Sequence, residues 1–174
     1  PCPAPPGAVA LGLFDPQRLT CGTTVPIVGE PGRSLPLSDS FVVPSSGLDG
    51  GTKVLDLRKL TPAGALSWRW AASSEQASLP SNAALVRSEE SLVAVWRVGG
   101  GDWRDVDGVR MKCPSTVGQH LLITRHRILD GQLLWAHCLD GTPQLGVQPF
   151  TRTQPAFAAT PQGVLLVQEA RGPG

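Results

Sequence analysis

The sequence predicts an all-β domain, an antiparallel sandwich or irregular barrel built from hairpins, with one or two short helices at most. Three observations predict it. About ten short apolar runs are separated by turn signals every eight to twelve residues or so, the spacing of a sandwich or barrel. The 174 residues include 20 Gly and 17 Pro, which shorten regular elements and argue against long helices. Asp130-Gly131 sits between two β-prone runs, 120–129 and 132–139, and an Asp-Gly pair so placed is a strong hairpin signal because Gly and Asp tolerate positive φ.

Residues 1–174 read as one domain. An irregular Pro/Gly-rich arm over 1–50 packs on a β core over 51–170. In the arm, apolar patches are short (9–14, 25–28 and 41–43) and Pro26 confines its patch to a sheet edge. Asp15-Pro16 opens one expected helical turn, with Asp15 as N-cap and Pro16 in the first helical position. Runs 53–60 and 65–70 flank the turn Thr61-Pro62-Ala63-Gly64. Leu66, Trp68 and Trp70 alternate with Ser67 and Arg69, a period of two that places both indoles on one face. Residues 73–77 are expected to form a short helix ended by Pro80. Runs 83–87 and 91–98 make a second hairpin with Glu89-Glu90 at its bend, and Trp96 belongs to its core side. Gly99-Gly100-Gly101 breaks the chain before a strand over 109–113. After the central hairpin come Asp140-Gly141-Thr142-Pro143, a short strand over 145–150 and a last hairpin pairing 156–159 with 164–169.

Charge and hydropathy exclude some classes. The formal net charge is +1, and no block of like charges appears, so there is no electrostatic footprint for nucleic acid or an anionic membrane surface. No apolar run is long enough to span a bilayer. A chain opening Pro1-Cys2-Pro3 without a Met is expected to be processed or truncated, so a signal or membrane anchor upstream is compatible with it.

Four cysteines stand at 2, 21, 113 and 138 without any C-x-x-C, the close pairing that zinc sites favour. Two disulfides, Cys2–Cys21 and Cys113–Cys138, are the simplest reading. Four cysteines allow three connectivities, and four buried thiols are the alternative. Each bridge stabilises by roughly 3 kcal/mol in the chain-entropy account. Disulfides place the chain outside the cytoplasm: periplasmic, secreted or at the cell surface.

The chemistry-bearing residues form three sets. With a two-residue turn at Asp130-Gly131, His126 faces Trp135 and Thr124 faces His137. The two imidazoles then become diagonal neighbours roughly 7 Å apart, two candidate ligands for a metal that needs three or four. Asp102, Asp105 and Asp107 before Gly108 resemble the carboxylates of a calcium loop, but in the EF-hand register Trp103 occupies the first ligand position and Pro114 stands where the Glu belongs. Trp103, beside Gly and Asp in an expected loop, is the candidate exposed contact residue, since an indole anchors a protein or carbohydrate partner at little entropic cost. No G-x-S-x-G and no phosphate-binding loop occurs. His137 and Cys138 are strand neighbours pointing to opposite faces, so adjacency does not make them a dyad. No metal and no cofactor is assigned.

The stretch from Gln132 to Phe150, QLLWAHCLDGTPQLGVQPF, resembles the β-rich, Cys-bearing end of minor pilin and pseudopilin heads. That family implies a subunit of a type IV pilus or type II secretion pseudopilus with a non-catalytic head, protein partners and a hydrophobic helix upstream. Residues 54–60 followed by 66–70 resemble a propeller blade hairpin. The expected function is a non-enzymatic extracytoplasmic binding or assembly module. The alternatives are a secreted hydrolase whose carboxylates converge only in the fold, and a fragment of a propeller-like secreted protein.

Overall fold

A computed structural model describes residues 9–15, 20–75, 77, 81–113, 119–139, 156–160 and 163–167. Every regular element among them is a strand. β1 (Val9–Asp15) and β2 (Thr20–Ile27) form a ladder of their own. β3 (Glu30–Pro31) and β4 (Leu35–Pro36) both pair with β5 (Phe41–Asp49), which passes to β6 (Thr52–Leu60) and β7 (Leu66–Ser74). β8 (Ser81–Ser88) and β9 (Ser91–Gly99) open a second sheet. The chain then returns to the first as β10 (Gly101–Asp105) and β11 (Arg110–Cys113), and to the second as β12 (Gln119–Arg127) and β13 (Leu133–Leu139). β14 (Ala156–Thr160) and β15 (Gly163–Val167) pair with each other, and β14 lies against β8. The larger sheet has the order β11-β10-β7-β6-β5-β3, with β4 also on β5; the smaller has the order β13-β12-β9-β8. All pairings are antiparallel, and the two sheets pack face to face as a sandwich.

Two local expectations are corrected. The described residues of the segment 1–50 do not form an irregular arm. They carry β1 to β5, and β5 is paired on both sides within the larger sheet. Pro31 and Pro36 sit on two-residue edge strands, whereas Pro44 stands within β5, between its pairings with β4 and with β3. The helix expected over 73–77 does not form, because Ser73 and Ser74 complete β7 in register with Val54 and Lys53. The helical turn after Asp15, the strand over 145–150 and the Cys2–Cys21 bridge lie outside the described residues.

Period-two alternation builds the core. Leu55 and Leu57 of β6 and Trp68, Trp70 and Ala72 of β7 point inward, against Leu92, Ala94, Trp96 and Val98 of β9 and Leu122 of β12. Trp70 and Trp96 meet across the sheets with ring centroids 6.2 Å apart. Each buried indole brings one donor that must be satisfied. Trp96 Nε1 donates to Thr124 Oγ1 at 3.0 Å, Trp68 Nε1 to the Ile128 carbonyl at 2.9 Å, and Trp70 Nε1 to Asp105 Oδ2 at 3.4 Å. β9 is buried on both faces. Its outward residues Val93 and Val95 join Leu121 and Ile123 of β12 in a second apolar cluster, which is why residues 92–96 read as a continuous apolar run.

The disulfide Cys113–Cys138 is present, with Cα atoms 5.2 Å apart. It does not bridge one hairpin internally. Cys113 ends β11 in the larger sheet and Cys138 lies on β13 in the smaller, so the bond ties one edge of each sheet together.

Candidate functional site

The three residue sets singled out above are each placed elsewhere than the sequence pattern implies. Trp103 is not an exposed contact. It lies on β10 with its side chain fully buried, and its Nε1 points to the Gly99 carbonyl at 3.5 Å. The sheet that covers it is formed by long-range pairing, which local Gly and Asp neighbours cannot signal.

Asp102, Asp105 and Asp107 do not converge. Asp105 is buried and used up by the turn that follows it: Oδ1 accepts from the Asp107 amide at 3.1 Å and the Val109 amide at 2.7 Å, and Oδ2 faces the Trp70 indole. Asp102, three residues earlier, sits on the opposite face of β10 and pairs with Arg110. The hydrogen bond from that guanidinium holds the Asp102 carboxyl below its ordinary range, and Lys112 and Arg104 act in the same direction. Asp107 is exposed in the turn. Among the described residues no group of three or more His, Cys, Asp or Glu could hold a metal ion.

His126 and His137 lie on opposite faces of the smaller sheet. The link between β12 and β13 is a five-residue loop, 128–132, rather than a two-residue turn, and a bulge follows between the pairs Arg125↔Trp135 and His126↔Leu133. Asp130 Oδ1 accepts from the Gln132 amide at 3.1 Å, while the Gly131 amide donates to the Arg127 carbonyl at 2.9 Å. Only Gly131 adopts positive φ, +78°. A Cβ there would stand 2.6 Å from Trp68 Cε3, so glycine is required by space as well as by conformation. Alternation along β12 sends His126 inward with Leu122 and Thr124, and the bulge on β13 moves His137 to the other face. The His126 ring packs edge-on to Trp70 with centroids 4.6 Å apart, Nδ1 lies 3.2 Å from the Gly131 carbonyl, and Nε2 is buried without a hydrogen-bond partner. Because a carbonyl only accepts, Nδ1 carries the hydrogen of the neutral ring. Burial lowers the His126 pKa to about 4, against the Gly131 hydrogen bond and the Asp105 charge, which favour protonation. His137 faces Ile123 on the outer side of the sheet and is exposed.

A buried carboxylate the sequence did not advertise is Asp56 on the outer face of the larger sheet. It accepts from Arg58 Nε at 2.7 Å and from Arg69 Nε at 2.8 Å. Both oxygens are occupied, which makes this a structural ion pair.

The feature with an open chemical capacity is the edge formed by β13. The two packed sheets have four edges among the described residues, and each is blunted or flanked in some way; β13 itself lies against β11. β3 and β4 are two residues long and end in proline, β11 is four residues long and carries Arg110 and Lys112, and β14 lies against β8. β13 is seven residues long, LLWAHCL, with neither proline nor a formally charged residue. Leu133, Ala136 and Cys138 pack on the core, whereas Leu134, Trp135 and Leu139 are 46%, 37% and 37% exposed. Register places Trp135, His137 and Leu139 on the outer face, opposite Arg125, Ile123 and Leu121, and the bulge turns Leu134 out beside them. Leu129 at the tip of the adjoining loop is 77% exposed. The sequence held a signal for this edge, an apolar strand without charge. The sheet order that makes it an edge was not legible.

Comparison of the chain with protein-family models, with curated proteins and with solved structures finds no match.

Proposed function

We propose that this chain is a non-catalytic assembly module that accepts an extended strand of a partner protein along β13. The observation that carries the reading is the exposed apolar strip of β13, a seven-residue strand with neither proline nor formal charge, on which Leu134, Trp135 and Leu139 are 46%, 37% and 37% exposed beside Leu129 of the adjoining loop. An unpaired strand edge offers a row of amide donors and carbonyl acceptors, and strand addition satisfies them while side-chain pockets give specificity. Trp135 adds an amphipathic anchor of the sort that dominates interface energetics. The Cys113–Cys138 bond supports an oxidising compartment as the place of action. The finer form of the proposal is a filament head of the minor pilin kind, because β13 falls within the stretch that resembles those heads.

The test uses a short, uncharged β-prone peptide of alternating Thr and Val, with an N-methylated version as control. Two-dimensional amide spectra of the labelled, disulfide-intact chain follow the titration. The expected result is a saturable shift confined to residues 133–139 that the N-methylated peptide does not cause and that Leu134→Lys abolishes. Shifts that map elsewhere, or none at saturating peptide, would refute the reading.

A further inference from the structure

We propose that Asp49-Gly50 is a site of spontaneous backbone modification, at which the aspartate converts through a cyclic imide to isoaspartate. An Asp-Gly step is open to this chemistry because glycine has no side chain to shield its own amide nitrogen. Three such steps lie among the described residues, Asp49-Gly50, Asp107-Gly108 and Asp130-Gly131, and Asp140-Gly141 lies outside them. The fold treats the three differently.

Ring closure needs a glycine amide free to attack and an aspartate carboxyl free to receive it. At Asp130-Gly131 both are engaged. The Gly131 amide donates to the Arg127 carbonyl at 2.9 Å, Asp130 Oδ1 accepts from the Gln132 amide at 3.1 Å, and Oδ2 accepts from Arg127 Nη1 at 3.1 Å. Gly131 is also wedged against Trp68. At Asp107-Gly108 the Gly108 amide donates to the Asp105 carbonyl at 3.0 Å and the Asp107 amide to Asp105 Oδ1 at 3.1 Å, so the turn is held from both sides. At Asp49-Gly50 neither the carboxyl nor the Gly50 amide has a hydrogen-bond partner among the described residues. Both residues are exposed at the tip of the β5–β6 hairpin. Gly50 and Gly51 form its turn, and nothing stands within 4 Å of the Cβ position of either. Closure requires only that the last ladder pair, Asp49↔Thr52, part, and a hairpin end opens at little cost.

The reaction balances without an added oxidant, reductant or catalyst. The Gly50 nitrogen bonds to Cγ of the protonated Asp49 carboxyl, and the amide hydrogen leaves with the carboxyl hydroxyl as one water. Water then reopens the imide. At the Cγ carbonyl it restores aspartate; at the main-chain carbonyl it leaves isoaspartate, with the backbone running through Cβ and Cγ. The extra backbone atom falls at the exposed tip, beyond Leu55 and Leu57 of the core, so the sandwich carries the change without losing its packing.

The test is prolonged incubation of the full, oxidised chain in mildly acidic buffer, with and without denaturing urea. Trypsin then releases residues 34–53, 105–110 and 128–152, which separate the three sites, and electron-transfer fragmentation locates isoaspartate within each. In the folded chain isoaspartate is expected to form at Asp49 about fivefold or more faster than at Asp107 or Asp130, the factor set by one hydrogen bond that need not be broken. In urea the three rates are expected to converge. Reaction at Asp107 or Asp130 as fast as at Asp49 in the folded chain, no reaction at Asp49, or a preference for Asp49 that persists in urea would overturn the proposal.

Discussion

Acidification acts on this fold through His126. The ring is fully buried between Trp70 and the 128–132 loop, and the one site open to a second proton, Nε2, has no partner. In the unfolded chain the imidazole titrates at its ordinary value of 6.5, and in the folded chain at about 4. Between these values the unfolded state binds more protons than the folded one, so stability rises with pH. The contribution is complete above about pH 6.5, falls as pH drops toward about 4, and levels off below. With about 1.36 kcal/mol per pKa unit, the gap corresponds to about 3 kcal/mol, a large part of the stability of a domain this size. His126→Gln keeps a donor for the Gly131 carbonyl and removes the titration. Urea unfolding followed by tryptophan emission, repeated from about pH 7.5 to about pH 4, reads the stability difference between parent and variant. The expected result is a parent advantage that shrinks by about 3 kcal/mol over that span, because titrating carboxylates are common to both proteins and cancel. A difference that stays constant with pH would show that the imidazole is not held neutral by burial, and the reasoning would fail.

Gly131→Ala adds a methyl against Trp68 at a residue with φ +78°, and the expected cost is about 2–3 kcal/mol from conformational strain and overpacking together, read as a lower urea midpoint at unchanged slope. Removing the Cys113–Cys138 bond releases a separation of 25 residues and is expected to lower stability by about 3 kcal/mol in the chain-entropy account. Unfolding of the parent and of C113S/C138S, both without reductant, measures that loss, and an unchanged midpoint would refute it.

The parts of the fold legible in the sequence were those governed by local pattern. Trp68 and Trp70 share the inward face because β side chains alternate, and Glu89-Glu90 turns between two runs that the sequence already separates. What failed depended on long-range pairing. Asp130-Gly131 looked like a two-residue turn, yet only the glycine takes positive φ. The tight turn with two positive φ values is Gly50-Gly51, at +56° and +91°. The one-residue bulge on β13 opposite His126 moves the strand residues beyond it by one place, so that His137 pairs with Ile123 rather than Thr124 and falls on the face opposite His126. Trp103 failed for a related reason. Gly99-Gly100-Gly101 is not a loop around an exposed indole but the crossing between sheets, and the strand it starts is covered by the partner sheet. Cys113–Cys138 was legible as a bond, while its role as a tie between sheets was not, because sequence spacing carries no sheet order.

That tie bears on why β13 tolerates an apolar edge. An edge strand held only by its inner neighbour can fray, and ordering it on association would cost backbone entropy. β13 is fixed at three places: the ladder to β12, the packing of Leu133 and Ala136 on the core, and the covalent bond from Cys138 to the other sheet. Its outward amides and carbonyls are therefore already aligned before any partner arrives, and pre-organisation of this sort raises affinity by removing an ordering cost. The same rigidity limits non-specific pairing, since a strand that cannot slip in register offers Trp135 and His137 to a complementary strand in one alignment only.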